Sequence, residues 1–454
     1  MTSNWSEPIS RRRLLSNAAA GAALVTPLPW FASQVLASTS PSARPLPAGE
    51  FDATVPTAWF DLAQRLIRAT PGYTPPVASR ALGCLGVNLY ESLVPGMPDH
   101  ISLAGALNGL GPVPRHDAGI AYHWPTVANG ALAAMTRSLF PTAPAALLAE
   151  IDLLEEHLNG GVPRGILRRS MERGYEIAAT IDAWARVDGG HAGYQRNFPT
   201  GYVPPAGPGL WVPTAPGFLP ALQPYWGGNR CMALDSSLAC DPGSPPPFST
   251  DPQSAFFAEA IEVYETVNGL TAAQREIALF WSDDPGQTAT PPGHSVSILG
   301  QILRSQDRSL ADAAVAYARL GIAVCDAFIA CWRIKYLHNL VRPITYIRSH
   351  VDPTWGDPLP VTTPPFPEFT SGHSVQSAAA AEVLTATFGQ VAFIDHTHDA
   401  RGLAPRSFGS FSAFADEAAI SRLYGGIHYR AAIERGLAQG RCVGSVVAAL
   451  PMRR

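Results

Sequence analysis

Apolar residues recur at offsets of three, four and seven through most of this chain, the spacing that gives an α-helix one buried face. The pattern predicts helices over 57–68, 77–93, 127–139, 143–158, 167–185 and 253–267. Six more are predicted over 272–281, 295–303, 307–340, 374–388, 412–424 and 431–450. Strict apolar–polar alternation, the mark of strands, is nearly absent, so the expected fold class is all-α with helices packed as bundles. No stretch beyond the N-terminal region reaches about 18 uninterrupted apolar residues, so a membrane span is not expected in the mature protein.

Residues 197–252 break the pattern: they are dense in proline and glycine, with Trp211, Phe218, Tyr225 and Trp226 embedded. A loop of that length is normally functional or a linker. Its aromatics predict that it packs on the surface, as the seam between an N-terminal helical half (38–251) and a C-terminal one (252–454). At the start, Arg11-Arg12-Arg13-Leu14-Leu15 before an alanine-rich apolar stretch resembles a twin-arginine export signal, with cleavage expected after Ala37. The alternative is a chance basic cluster. Export implies passage through the twin-arginine translocase and a periplasmic or secreted protein.

Composition narrows the partners. A chain of 454 residues that is 46% hydrophobic and 15% charged can build a large core, and its net charge of -4 leaves no basic footprint for nucleic acid. Its six cysteines form no CxxC pair and no zinc spacing. In an oxidising compartment Cys231 and Cys240, in the Pro/Gly-rich segment, can close a short disulfide, whereas Cys84, Cys325, Cys331 and Cys442 read as small core residues.

Candidate chemistry lies in three places. On a continuous helix Trp332, Lys335, Asn339 and Arg342 share one face, two cations two turns apart suit an anion, and Pro343 ends or bends the helix there. A solvated stripe is the plainer reading. At 370–373, Thr-Ser-Gly-His opens an alanine-rich helix, where exposed N–H groups and the helix dipole favour an anion and His373 can exchange protons. Thr370 or Ser371 can equally be a simple N-cap. At 421–436, Gly425-Gly426 can break the chain so that His428 turns back toward Arg422.

The order Lys335, Arg342-Pro343, Ser371-Gly372-His373, Arg422, His428 resembles the three-part signature of vanadium-dependent haloperoxidases and type 2 phosphatidic acid phosphatases. The segments 209–228 and 280–294 resemble the exported bacterial haloperoxidase-like branch, so the resemblance covers nearly all of the mature chain. It implies an all-α fold in which Lys335, Arg342, Ser371, Gly372 and Arg422 hold the oxygens of vanadate or phosphate. His428 would ligate vanadium, His373 would be the acid/base, Lys335 would polarise the bound peroxide, and Trp332 and Phe366 would line the substrate pocket. The implied reaction oxidises halide with hydrogen peroxide, and the hypohalous acid passes to an organic acceptor. The alternative is hydrolysis of a phosphate ester through a phosphohistidine at His428, with no vanadate. An oligomer is compatible with either.

One position departs from the family pattern. An Asp is expected four residues after the ligand histidine, and Ala432 stands there, so a backbone carbonyl or another acid must orient His428, or the site is weakened. A catalytically poor oxyanion-binding protein is therefore a third reading. The run Asp395-His396-Thr397-His398-Asp399 reads as an ordinary loop, Asp283 and Asp284 read as turn residues, Asp326 can pair with Arg333, and His294 has no assignable role.

Overall fold

The computed structural model describes residues 46–356 and 358–454, and the predicted export signal over 1–37 lies outside them. The described residues contain thirteen α-helices. The first five are α1 (Thr54–Ala69), α2 (Pro75–Leu93), α3 (Trp124–Leu139), α4 (Ala145–His157) and α5 (Arg164–Arg186). After a long coil come α6 (Ala255–Asn268), α7 (Ala272–Phe280), α8 (Thr290–Ser305), α9 (Leu310–His338) and α10 (Pro343–His350). The last are α11 (Gly372–Phe388), α12 (Phe411–Tyr424) and α13 (Arg430–Ala448). A short antiparallel hairpin, β1 (Phe393–Asp395) with β2 (Arg406–Phe408), lies between α11 and α12. The fold is all-α, as its periodicity predicts.

Helix α9 is the axis of the molecule. It starts on a capping box, in which Ser309 and Asp312 satisfy each other's backbone N–H groups, and it is buried along nearly its whole length. It is also the one described helix long and apolar enough to cross a membrane, and its burial against α2, α11 and α13 accounts for that composition. One continuous core runs from Trp59 in α1 through Trp332 in α9 to Val447 in α13.

Two elements differ from expectation near the site. The helix predicted over 307–340 stops at His338, because Asn339 takes a left-handed conformation (φ 47°) and caps it. Arg342 precedes Pro343, whose ring disfavours helical backbone one residue earlier, so Arg342 is extended (φ -76°, ψ 150°) and caps α10, a helix that periodicity missed. Asn339 and Arg342 thus do not share the helical face of Trp332 and Lys335. The start of α11 is fixed by the last helix: Gly436, Gly440 and Gly444 form a stripe on α13 against α11. A Cβ at Gly436 would come within 2.8 Å of Ser374, and one at Gly444 within 2.8 Å of the Ala379 carbonyl, so only glycine allows this approach.

The Pro/Gly-rich segment is coil pinned to the end of α9. Trp211 and Trp226 are buried, while Phe218 and Tyr225 are exposed. Asp326 does not pair with Arg333; its carboxylate accepts the backbone N–H groups of Met232 (2.6 Å), Ala233 (2.8 Å) and Leu234 (2.9 Å). The cysteine expectation also fails: Cys240 is bonded to Cys442, across a sequence separation of 202, and Cys231 is a buried free thiol like Cys84, Cys325 and Cys331.

Candidate active site

The three sequence clusters converge. Trp332, Phe366, Gly372, His373, Arg422 and His428 line one cavity of about 260 Å³, whose walls are mostly apolar. Lys335, Arg342 and Ser371 are fully buried beside it.

Lys335 comes from the last turn of α9, and its ammonium donates to the carbonyls of Pro367 (3.0 Å), Glu368 (3.0 Å) and Thr370 (2.5 Å). The rings of Phe366 and Trp332 lie 4.9 and 5.9 Å from Nζ. Arg342 donates through Nε to the Phe366 carbonyl (2.8 Å) and through Nη1 to the Ile427 carbonyl (2.7 Å), with Nη1 also 3.3 Å from His428 Nε2. Its Nη2 is buried without a partner. Arg422, in the last turn of α12, donates to the Ser421 hydroxyl (3.0 Å) and the Ala278 carbonyl (3.2 Å). Among the described residues none of these three cations forms an ion pair.

Their electrostatics follow from that isolation. Burial, against weaker opposing fields, pushes Lys335 down to about 7 and Arg342 and Arg422 each down to about 10. Asp283 and Asp284 line the same cavity and raise Arg422 without outweighing its burial. Unpaired charge out of water is costly, and an anion placed among these groups would relieve the cost.

Ser371 is the N-cap of α11 and accepts the Ser374 N–H (3.3 Å), so the first turn, with Gly372 and His373, faces the cavity at the positive end of the helix dipole. His373 is half-buried, and its Nε2 is buried without a partner. Burial, and then the charge of Arg422, hold it well below the ordinary imidazole value, against the pull of Asp283.

His428 is reached as expected: α12 ends at Tyr424, Gly426 is left-handed (φ 75°), and His428 returns to the cavity before α13 begins. Its orientation comes from a residue that sequence reasoning missed. Glu368 Oε1 accepts both His428 Nδ1 (2.8 Å) and the Tyr429 N–H (2.9 Å), while Ala432 contributes only its carbonyl, to Ser371 N–H (3.0 Å). The hydrogen bond fixes Nδ1 as the protonated nitrogen and leaves Nε2 unprotonated, its lone pair facing Arg342 Nη1 at 3.3 Å. Burial, followed by Arg342 and Lys335, holds His428 well below its ordinary value, hence neutral; burial pushes Glu368 up to about 8. The only signal in sequence was a lone acid in the apolar run Pro364–Phe369.

A second buried group adjoins the first. His294 is held between Asp283 (Nδ1 to Oδ2, 2.8 Å) and Asp395 (Nε2 to Oδ2, 2.7 Å), and its ring stacks on Trp281 at 4.5 Å. His398 Nε2 lies 3.4 Å from Asp283 Oδ1. Asp283 and Asp395 are therefore neither turn nor loop residues in the sense their sequence suggested. Donor atoms of Asp283, His294 and His398 lie within 4.8 Å of one another, but both His294 nitrogens are committed to carboxylates, which makes this an ion cluster rather than a metal cage.

Comparison with known proteins gives the relatives of the chain. Residues 315–453 match the model of the VCPO second helical-bundle domain. A bacterial vanadium-dependent iodoperoxidase of known crystal structure is 35% identical, with a TM-score of 0.81, over 89% of this chain and 98% of that one. A holo-type bacterial vanadium-dependent chloroperoxidase has the same fold at 15% identity, with a TM-score of 0.67 over 85% of this chain and 93% of that one. The vanadium chloroperoxidase of Curvularia inaequalis is 26% identical over 163 residues, which span 29% of this chain and 27% of that relative's length.

Proposed function

Because the chain belongs to the vanadium-dependent haloperoxidase family, we propose that it oxidises a halide, iodide most readily, with hydrogen peroxide at a vanadate held by His428. The observation that carries this reading is the set of buried cations without carboxylate partners, Lys335, Arg342 and Arg422, grouped around a helix N-terminus and a neutral imidazole. The residues fit the group: Arg342 Nη2 and His373 Nε2 are buried atoms with nothing to bond, and His428 Nε2 is unprotonated with only the long Arg342 Nη1 contact at 3.3 Å. Vanadate, when bound, would supply an electron-poor centre for two-electron oxidation of halide by peroxide, with no change in the oxidation state of vanadium.

The rest is the work of the chain. Lys335, Arg342 and Arg422 offset the charge of the oxyanion, the arginines with directional forks, and Ser371 with the Gly372 turn donates at the helix end. Glu368 orients His428, so the loss of an acid at Ala432 is compensated from another loop. His373, neutral and with Nε2 unpartnered, takes and returns a proton at the cavity face. Trp332 and Phe366 exclude water and stiffen Lys335 and Arg342 through their ring faces. Iodide is the halide named for the relative of 35% identity, and it is also the easiest of the common halides to oxidise.

The leader at Arg11–Arg13 supports export, and the Cys240–Cys442 disulfide suits the oxidising compartment that export would reach. The test is to load the protein with vanadate and assay peroxide-dependent oxidation of iodide, bromide and chloride beside phosphate-ester hydrolysis. Vanadate-dependent halide oxidation, competed by phosphate and lost in His428→Ala, is expected. Ester hydrolysis without halide oxidation would replace this reading with a phosphatase.

A further inference from the structure

Asp283 is the partition between two chambers. It lines the site cavity, and among the described residues it is the only one that also lines a second chamber of about 260 Å³ on its far side. His294 and His398 form the inner wall of that chamber, and the exposed residues Asp61, Arg65 and Arg68 form its rim. Three buried polar atoms on the walls of these chambers make no hydrogen bond: His398 Nε2 and Asp283 Oδ1, which face each other at 3.4 Å, and His373 Nε2, whose ring lines the site cavity with Asp283. Buried polar atoms are normally satisfied, by water where nothing else reaches, so a row of orphans joining two cavities marks a hydrated path.

We propose that His398 and Asp283 form a proton inlet that feeds His373 from the outer chamber. The proposal rests on the haloperoxidase reading, which gives such a path a use: H2O2, X⁻ and H⁺ give HOX and H2O, so each turnover takes up one proton in a cavity whose walls are mostly apolar. His398 has the form of a shuttle. Its Nδ1 faces Arg401 Nη1 at 3.5 Å on the chamber side, and its Nε2 faces Asp283 Oδ1 at 3.4 Å. A proton taken up at Nδ1 from the chamber releases the one on Nε2, which passes along Asp283 Oδ1 to His373; no electrons move along the route. His294 is the fixed part: clamped at both nitrogens, it holds Asp283 Oδ2 and so leaves Oδ1 to face the path. Asp283, kept below the usual carboxylate range by its histidine neighbours despite burial, stays ionised and orders the path without storing the proton. His398 and Asp283 touch no reacting atom, and their role is positional.

His398→Gln keeps a donor for Asp283 but has no second ring nitrogen to reload. It should lower kcat for halide oxidation roughly tenfold, leave vanadate affinity and halide KM unchanged, raise the solvent deuterium isotope effect, and regain activity with imidazole in the buffer. His398→Phe, which keeps the ring contact with Phe280, should behave alike and serves if the glutamine folds poorly. Unchanged kcat, or a loss that imidazole does not rescue in a protein of unchanged melting temperature, would overturn the inlet. A second readout needs no turnover: in ¹⁵N-histidine NMR of the vanadate-free protein, ring N–H exchange of His373 with solvent should slow in both variants. If wild type oxidises no halide, the functional reading falls, and the exchange rates alone decide the inlet.

Discussion

Two groups of buried charge meet at Asp283, and they are built on opposite principles. On one side His294 lies between two carboxylates, each within 2.8 Å. On the other, Lys335, Arg342 and Arg422 are equally buried, yet none pairs with a carboxylate: Glu368 is committed to His428 and Asp283 to His294. A paired cluster is complete within the protein and serves structure or relay. An unpaired one is stable only because packing and carbonyl dipoles impose it, and its missing charge describes the ligand.

The comparison predicts first where damage to the chain costs most. In Asp395→Ala the imidazolium of His294 loses one of its two counter-charges in a site that excludes water, and breaking a buried pair in this way costs about 3–5 kcal/mol. Denaturant unfolding should show a lower midpoint with unchanged slope. A loss under 1 kcal/mol would mean that the cluster is not the tight ion group its distances describe.

The second prediction adds charge instead of removing it. Vanadate, or phosphate as its redox-inert analogue, should stabilise the protein by about 2.7 kcal/mol at a hundredfold excess over Kd. Thermal melting checks this, and the same shift should persist when His294 is replaced by Gln, because that cluster has no unmet charge. An anion that raised the melting temperature only through the His294 cluster would reverse the assignment of the two regions.

The third concerns Glu368. Orienting partners of metal-bound histidines are worth about 10–100-fold in affinity, so Glu368→Ala should weaken vanadate binding by that factor, as measured by calorimetry, while the fold survives. Loss of affinity in an otherwise folded variant would show that the acid missing at Ala432 has been supplied from the loop before α11.

Sequence made one of these regions readable and hid the other, for a physical reason. The cradle draws on short motifs whose internal spacing is set by single structural events: the helix end before Pro343, the N-cap Ser371, the turn at Gly426. The His294 cluster takes its members from Asp283, His294, Asp395 and His398, brought together only when α8 packs beside the β1 hairpin, and no local pattern records that. Helix α10 escaped notice because eight residues give too few turns for a period, and the hairpin because its strands have three residues each. The partner of Cys240 lies 202 residues away, where closeness along the chain is no guide.

The smallest effect gives the finest contrast, because the two regions respond to pH with opposite sign. Burial alone would lower His294, but Asp283 and Asp395 outweigh it and push its pKa up to about 10, above the unfolded value of about 6.5. Its contribution to stability is complete below about pH 6.5 and declines, by about 1.4 kcal/mol per unit, until pH passes the folded value. Lys335 runs the other way: burial pushes it down to about 7, so between there and about 10.4 the unfolded chain binds the extra proton and stability rises with pH. In the anion-free protein the slope from Lys335 should offset that from His294 between pH 7 and 10. Bound phosphate keeps Lys335 protonated in the folded state and removes the rising term, so stability should fall more steeply with pH when the cradle is filled. Chemical unfolding across that range, with and without saturating phosphate, measures both. A decline of equal slope in the two conditions would show that Lys335 is not the uncompensated charge that distinguishes the cradle.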